Sequence, residues 1–245
     1  MTAFIDIVQR VTDLFAQGPL DRVGIADGGD GFVGVAGVSG NGQRELAEIV
    51  AGLMAPTSGE VSINGERVNG VGTRNVRKAG LAYVPEDRLG TGLAPSLSIV
   101  DNLVLTRDRG FFVDRKSAHA EAEAFIKQLE IKTPNAHTAT RKLSGGNSQK
   151  VLLAREIFAA GTNSRVLVVC SPTRGLDVGA VEAVHKLLDE ARSAGKAILL
   201  ISEDLDEVLT LADKILVLYR GSVVHEAAGT EVDVEAVGLA MAGLS

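Results

Sequence analysis

The sequence predicts an α/β fold with a mostly parallel sheet, and three observations carry that expectation. Short apolar runs, among them "FVGVA" (32–36), "RVLVVC" (165–170) and "AILLIS" (197–202), alternate with segments whose apolar residues recur at helical spacing. Runs that are apolar on both faces are what covered parallel strands require. An Asn-Gly pair inside the alternating "GEVSINGERV" marks a separate small antiparallel hairpin.

Taken in order, "FVGVA" reads as a strand, the glycines after it as a loop, and "RELAEIVAGLM" as the helix that follows. The hairpin comes next, and then "GLAYVPEDR", a strand that Pro85 ends. From about 87 to 160 the chain is mostly helical, with "KSAHAEAEAFIKQLEI" rich in Ala, Glu and Lys, and reads as a helical subdomain. The strand "RVLVVC", a helix from Val178 to Ala194, the strand "AILLIS", the helix "DLDEVLTLA" and the strand pair "KILVLY" and "SVVHE" follow. A short helix near 231–243 closes the pattern. The whole of 1–245 is expected to form one elaborated domain, in which residues 1–21 carry no clear element and "IADGGDG" reads as a turn-rich connection.

With 45% hydrophobic and 23% charged residues the chain has a globular composition, and 245 residues can bury a sizeable core. A net charge of −6 without a basic run argues against nucleic acid as a partner. The lone Cys170 excludes an intrachain disulfide and reads as a small buried residue closing a strand in a reducing, cytoplasmic setting. No apolar stretch approaches the roughly 20 residues of a membrane span, and "MTAFIDIVQR" does not read as a secretion signal.

Two stretches carry chemistry. In "GVSGNGQRE", Gly37, Gly40 and Gly42 lie between a strand and a helix, together with Ser39, Asn41, Gln43 and Arg44. Backbone N–H groups at such a loop and at the helix end attract an anion, although a ligand-free turn has the same spacing. A dinucleotide fingerprint fits less well, because Glu45 stands where its third small residue belongs. In "LSGGNSQK", Ser144, Gly145, Gly146 and Asn147 open the helix through "QKVLLAREIFA", where Ser144 serves equally as a cap or as part of a phosphate clamp.

"LSGGNSQK" closely resembles the signature of ATP-binding-cassette (ABC) ATPases, and "SPTRGLDVGA" resembles the segment that leads into their D-loop, here Gly175, Leu176 and Asp177. The resemblance covers about residues 22–230. It implies a P-loop NTPase-like fold with a helical subdomain, ATP as the nucleotide, and a head-to-tail pair in which each nucleotide lies between one chain's glycine loop and the other's signature. It also implies which residues should hydrolyse ATP, and here they differ. Gln43 stands for the phosphate-binding lysine, Arg44 for the magnesium-holding Ser or Thr, Cys170 and Ser171 for the Asp-Glu pair, Glu203 for the switch histidine and Glu86 for the γ-phosphate-sensing glutamine.

Together with "GVSGNGQRELAE" and "YVPEDR", this pattern is similar to the second, degenerate cassette of uptake ATPases for simple sugars or nucleosides, with the nucleoside branch the nearer match. The resemblance implies no catalytic residues of the chain's own and weak nucleotide holding by residues 37–44. It implies a consensus partner cassette, fused or separate, that carries Mg2+ and hydrolysis, and attachment to the inner face of the cell membrane through permease subunits. In that family two cassettes usually share a chain about twice this length, so a truncated gene or remnant is a competing expectation. So are an autonomous ATPase in which Arg44 and Glu203 take over the lost roles, and an ATP-dependent dimerisation module outside transport.

His119, His137, His185 and His225 lack metal spacing and read as surface or helix residues, and no metal site is expected. Phe111 and Phe112 are expected to pack within the helical subdomain, and "EAEAFIKQLEIK" to present a solvated amphipathic face.

Overall fold

The computed structural model describes residues 31–56, 60–63, 66–107, 114–159, 164–228 and 232–244. The readings of residues 1–30, of the Asn64-Gly65 turn and of Phe111 and Phe112 lie outside them. In chain order the elements are β1 (Phe32–Ala36), α1 (Gln43–Val50), β2 (Ser62–Ile63), β3 (Glu66–Arg67), α2 (Thr73–Lys78), β4 (Leu81–Val84), α3 (Ile99–Val104), α4 (Arg115–Gln128), α5 (Gly145–Leu153), β5 (Val166–Cys170), α6 (Val178–Ser193), β6 (Ala197–Ser202), α7 (Leu205–Leu211), β7 (Lys214–Tyr219), β8 (Ser222–Ala228) and α8 (Val234–Met241). The chain divides into two compact units, Met1–Tyr83 with Ser164–Ser171 and Asp189–Ser245, and Val84–Asn163 with Pro172–Leu188.

The first unit is organised by a six-stranded sheet in the order β4-β5-β6-β1-β7-β8. β1 pairs parallel with β6 and β7, β5 pairs parallel with β6, and β8 returns antiparallel to β7. β1, β5 and β6 are buried along their whole length, which explains their unbroken apolar sequence. On one face the apolar stripe of α1 (Leu46, Ile49, Val50) packs with Val33, Val35, Val168 and Leu199. β2 and β3 form the separate antiparallel pair that the Asn-Gly signal implied. The β7–β8 turn is a two-residue one, with Arg220 at φ 48° and Gly221 at φ 77°, the left-handed pair that matches strand twist.

Gly34 sets the distance between β1 and α7. A methyl group there would lie 2.6 Å from Val208 Cγ1 and 2.8 Å from the Ala212 side chain.

The second unit is mostly helical. Ile99 and Leu103 of α3 and Val151, Leu152 and Leu153 of α5 are buried. Asn102, fully buried, accepts from Ala94 N at 2.8 Å and donates to the carbonyls of Ala94, Leu97 and Ser98, which fixes the chain ahead of α3. α4 is solvated except at Ala118 and Ala122, as its composition implied. The helix expected to run through "QKVLLAREIFA" is α-helical only to Leu153 and widens into π-type turns over Ala154–Ala159. The buried Arg155 and Glu156 in those turns bond each other at 2.7 Å. Among the described residues no helix is long and apolar enough to cross a membrane.

Gly34→Ala is expected to destabilise the protein by about 1–3 kcal/mol through overpacking against α7. An unchanged midpoint of urea unfolding would contradict this.

Candidate functional site

Register brings the first cluster of candidate residues together. Ala36 at the end of β1 is level with Ser202 at the end of β6, and Cys170 at the end of β5 is level with Ile201. The segments after three adjacent parallel strands, Gly37–Gly42, Ser171 and Glu203, therefore leave the sheet at one edge. In open α/β sheets this carboxyl edge is where ligands bind.

The glycine loop rests on backbone geometry. Gly40 (φ 87°) and Gly42 (φ 107°) occupy the left-handed region, and Gly42 leads into α1 without a side-chain cap. α3, α4, α5, α7 and α8 are each capped by a Ser or Asp side chain. An uncapped helix start behind such a loop is the arrangement that favours an anion. Asn41 ties the loop to the β7–β8 turn, its side-chain oxygen and carbonyl accepting from Arg220 N and Gly221 N, both at 2.9 Å.

The two side chains at the key loop positions are engaged within the chain. Gln43 is buried, and its amide donates to the carbonyl of Val38 at 3.0 Å. It sits so close under the loop that a methyl group on Gly37 would lie 2.6 Å from its Nε2. Arg44 is exposed and pairs with Glu48 at 2.7 Å, one helical turn on.

Cys170 is buried, as its sequence context implied. Burial pushes its thiol up to about 12, only partly opposed by a hydrogen bond with Tyr83 on β4. Burial likewise raises the Tyr83 phenol, helped by Cys170 and Glu48. Both groups are thus neutral at physiological pH. A hard divalent cation needs anionic or strongly polar oxygens, so a protonated thiol, a phenol and the nearby Arg44 cation do not suit magnesium. Among the described residues no group of His, Cys, Asp and Glu could hold a metal ion.

Ser171, at φ 40°, turns the chain out of β5, and its N–H donates to Ile201 O at 2.8 Å. Glu203 is exposed. Beside it the buried Ser202 donates to Glu207 at 2.6 Å and accepts from Asp204 N, which fixes the turn into α7.

The second cluster belongs to the helical unit. Ser144 caps α5, its oxygen accepting from the Asn147 side-chain amide at 2.8 Å and, more distantly, from Asn147 N at 3.4 Å. Asn147 in turn accepts from Lys132 N at 2.8 Å. Ser144 and Gly145 are exposed at this helix start. A methyl group on Gly146 would lie 2.7 Å from the Ala180 side chain, so close approach to α6 demands a glycine there. Gly175 takes φ 67°, Leu176 donates to Thr173 O in the same turn, and Asp177 caps α6 by accepting from Ala180 N at 3.0 Å.

Glu86 forms an ion pair with Arg174, and Arg88 donates to the Arg174 carbonyl. Neither arginine stood out in the sequence beyond its place in "PEDR" and "PTRG". Tyr83, Glu48 and the Arg220-Gly221 turn were likewise missed.

A family model described as "ABC transporter" matches residues 29–174. The chain belongs to the ABC transporter family, as an ATP-binding domain. It is 39% identical over 221 residues to the guanosine import ATP-binding protein NupO of Bacillus subtilis, covering 86% of this chain and 42% of that protein. It is 36% identical over 244 residues to the ribose import ATP-binding protein RbsA 1 of Rubrobacter xylanophilus, covering 97% of this chain and 48% of the relative. This cassette therefore spans less than half the length of these curated relatives.

Among solved structures, the dimeric cassette MJ0796 aligns with a TM-score of 0.69 at 25% identity, over 82% of this chain and 86% of that one. A post-hydrolysis state of MJ0796 bound to ADP and Pi aligns at 0.70, also at 25% identity, over 84% and 89%. The P-loop NTPase fold of an ABC cassette, with its mostly parallel sheet, small antiparallel piece and helices, is thereby established.

The thiol makes the cassette sensitive to alkali. Its folded value of about 12 exceeds the ordinary 9.0, so the folded protein holds a proton that the unfolded chain releases as pH rises above about 9. This contribution to stability is complete below pH 9 and is lost between about 9 and 12. Cys170→Ala is expected to flatten that limb in denaturant titrations run across this range, and an unaltered slope would contradict the assignment.

Proposed function

We propose that this cassette is the non-hydrolysing half of the ATPase pair of an importer for simple sugars or nucleosides. It corresponds to the second, degenerate cassette of its relatives, with residues 1–245 forming one nucleotide-binding domain and about 87–160 its helical subdomain. The observation that carries the reading is Cys170: a buried, neutral thiol bonded with Tyr83 stands at the strand end where the family places a magnesium-supporting carboxylate. Gln43, Ser171, Glu203 and Glu86 at the other family positions support it. Phosphoryl transfer depends on charge neutralisation and positioning, and the loop offers no lysine and the end of β5 no carboxylate.

In this reading Ser144, Gly145, Gly146 and Asn147, with Gly175, Leu176 and Asp177, face ATP bound by a consensus partner cassette, where Mg2+ and hydrolysis belong. The uncapped start of α1 and exposed Ser144 with its helix end supply the two kinds of anion-seeking surface required. The loop from Gly37 to Arg44 holds nucleotide weakly through Gly37, Ser39, Gly40, Asn41, Gly42, Gln43 and Arg44. In this reading permease subunits hold the cassette at the cytoplasmic face of the membrane, a placement that the word import in its relatives' names supports.

Two measurements test this. Mixed with a consensus cassette, the chain should support ATPase activity that falls about 100-fold or more with Ser144→Ala, the scale of losing one anion-holding donor. Brisk magnesium-dependent phosphate release from this chain alone would defeat the proposal. Separately, Gln43→Lys removes the bond to Val38 and adds a cation, so ATP affinity by calorimetry is expected to rise about tenfold, equivalent to ~1.4 kcal/mol. Unchanged affinity would show that this position does not face phosphate.

A further inference from the structure

The segment after β4 grips the loop that precedes α6 at two points, and both converge on Arg174. The Glu86 carboxylate pairs with the Arg174 side chain, and the Arg88 guanidinium donates to its carbonyl. The other end of the same guanidinium reaches the signature. A methyl group on Gly145 would lie 3.0 Å from Arg88 Nη1, 3.4 Å from Leu176 Cδ2 and 3.9 Å from Gly175 O. Gly145 is thus where the signature helix, the Gly175–Leu176 turn and Arg88 meet.

Arg88 is suited to this place. Its neighbour Asp87 is occupied in capping the following turn, accepting from Leu89 N and Gly90 N, and among the described residues no carboxylate forms an ion pair with Arg88. Partial burial lowers its pKa, opposed by the neighbouring Asp87 carboxylate. A guanidinium keeps its charge in proteins, and this one donates to the Arg174 carbonyl as a charge-assisted bond. The guanidinium is planar and rigid, so while Nη2 donates to the loop carbonyl, Nη1 is held in packing contact beside Gly145 at the helix start.

We propose that Arg88 is a positioning residue that locks the start of α5 and the turn from Thr173 to Asp177 into one surface, so that Ser144 and Asp177 are presented to the partner's ATP together. Glu86 assists by holding the Arg174 side chain. This rests on the reading that the signature serves a partner's nucleotide. The locking itself is a property of this chain alone.

The test uses the full chain in two assays. By amide hydrogen exchange without partner, Arg88→Ala should speed exchange about tenfold at Leu176, Ala180 and Ser148, whose N–H groups bond within the turn, at the start of α6 and at the start of α5. Exchange unchanged at these three amides would overturn the inference. In the mixed ATPase assay, Arg88→Ala should raise the apparent KM for ATP about tenfold with kcat within threefold, because a displaced signature weakens ground-state and transition-state holding alike. A merely misfolded fraction would lower kcat at constant KM, and that result would also count against the inference.

Arg88→Lys, which keeps one donor for the carbonyl, should recover KM to within about threefold, and a lysine no better than alanine would contradict the role of that bond. If Ser144→Ala raises KM and Arg88→Ala does not, the positioning role falls while the functional reading stands. If neither variant affects the mixed pair, the functional reading falls, and the exchange data alone decide whether Arg88 locks the surface.

Discussion

The constraint on which the rest depends is the parallel pairing of β5, β6 and β1, buried on both faces and ending in register. Because Ala36 is level with Ser202 and Cys170 with Ile201, three loops distant in sequence open at one edge of the sheet. Each strand has a helix after it, and the turns between them leave polar backbone at this edge to meet a ligand. Gly34 in the middle of β1 and Gly37 just past its end serve the same constraint, the first by admitting α7 and the second by admitting the Gln43 amide.

Within that frame, the chemistry of the edge is set by what is neutral. A carboxylate at the end of β5 would sit in a buried place and would need a cation to stay ionised. The thiol of Cys170 needs none, and the Tyr83 phenol accompanies it without charge. The Arg44 cation nearby is settled locally instead, by Glu48 on the next turn of α1.

Much of this was legible in the sequence. The order of strands and helices, the hairpin, the burial of Cys170 and the capping role of Ser144 follow from apolar spacing and from local cap chemistry, which act over a few residues. What was not legible depends on sheet order and long-range approach. Tyr83 meets Cys170 because β4 neighbours β5, an order the run of strands does not specify. Arg88 and Arg174 are 86 positions apart, and nothing local marks either as a partner. Gln43 looks able to reach outward, and turns inward only because Gly37 lacks a side chain. The buried Asn102 gives no sign in a helical stretch that its amide would serve three carbonyls of the preceding turn.

The tie between Asn41 and the turn at Arg220 spans 179 residues. Chain closure over such a distance comes late, after shorter-range contacts have formed. During synthesis the anion-seeking loop would thus exist for most of the chain's emergence as a glycine-rich segment without its final support, and would acquire its fixed shape only when β7 and β8 close their hairpin beside β1. A nascent chain stalled before that hairpin would possess every residue of the loop and yet lack the loop itself.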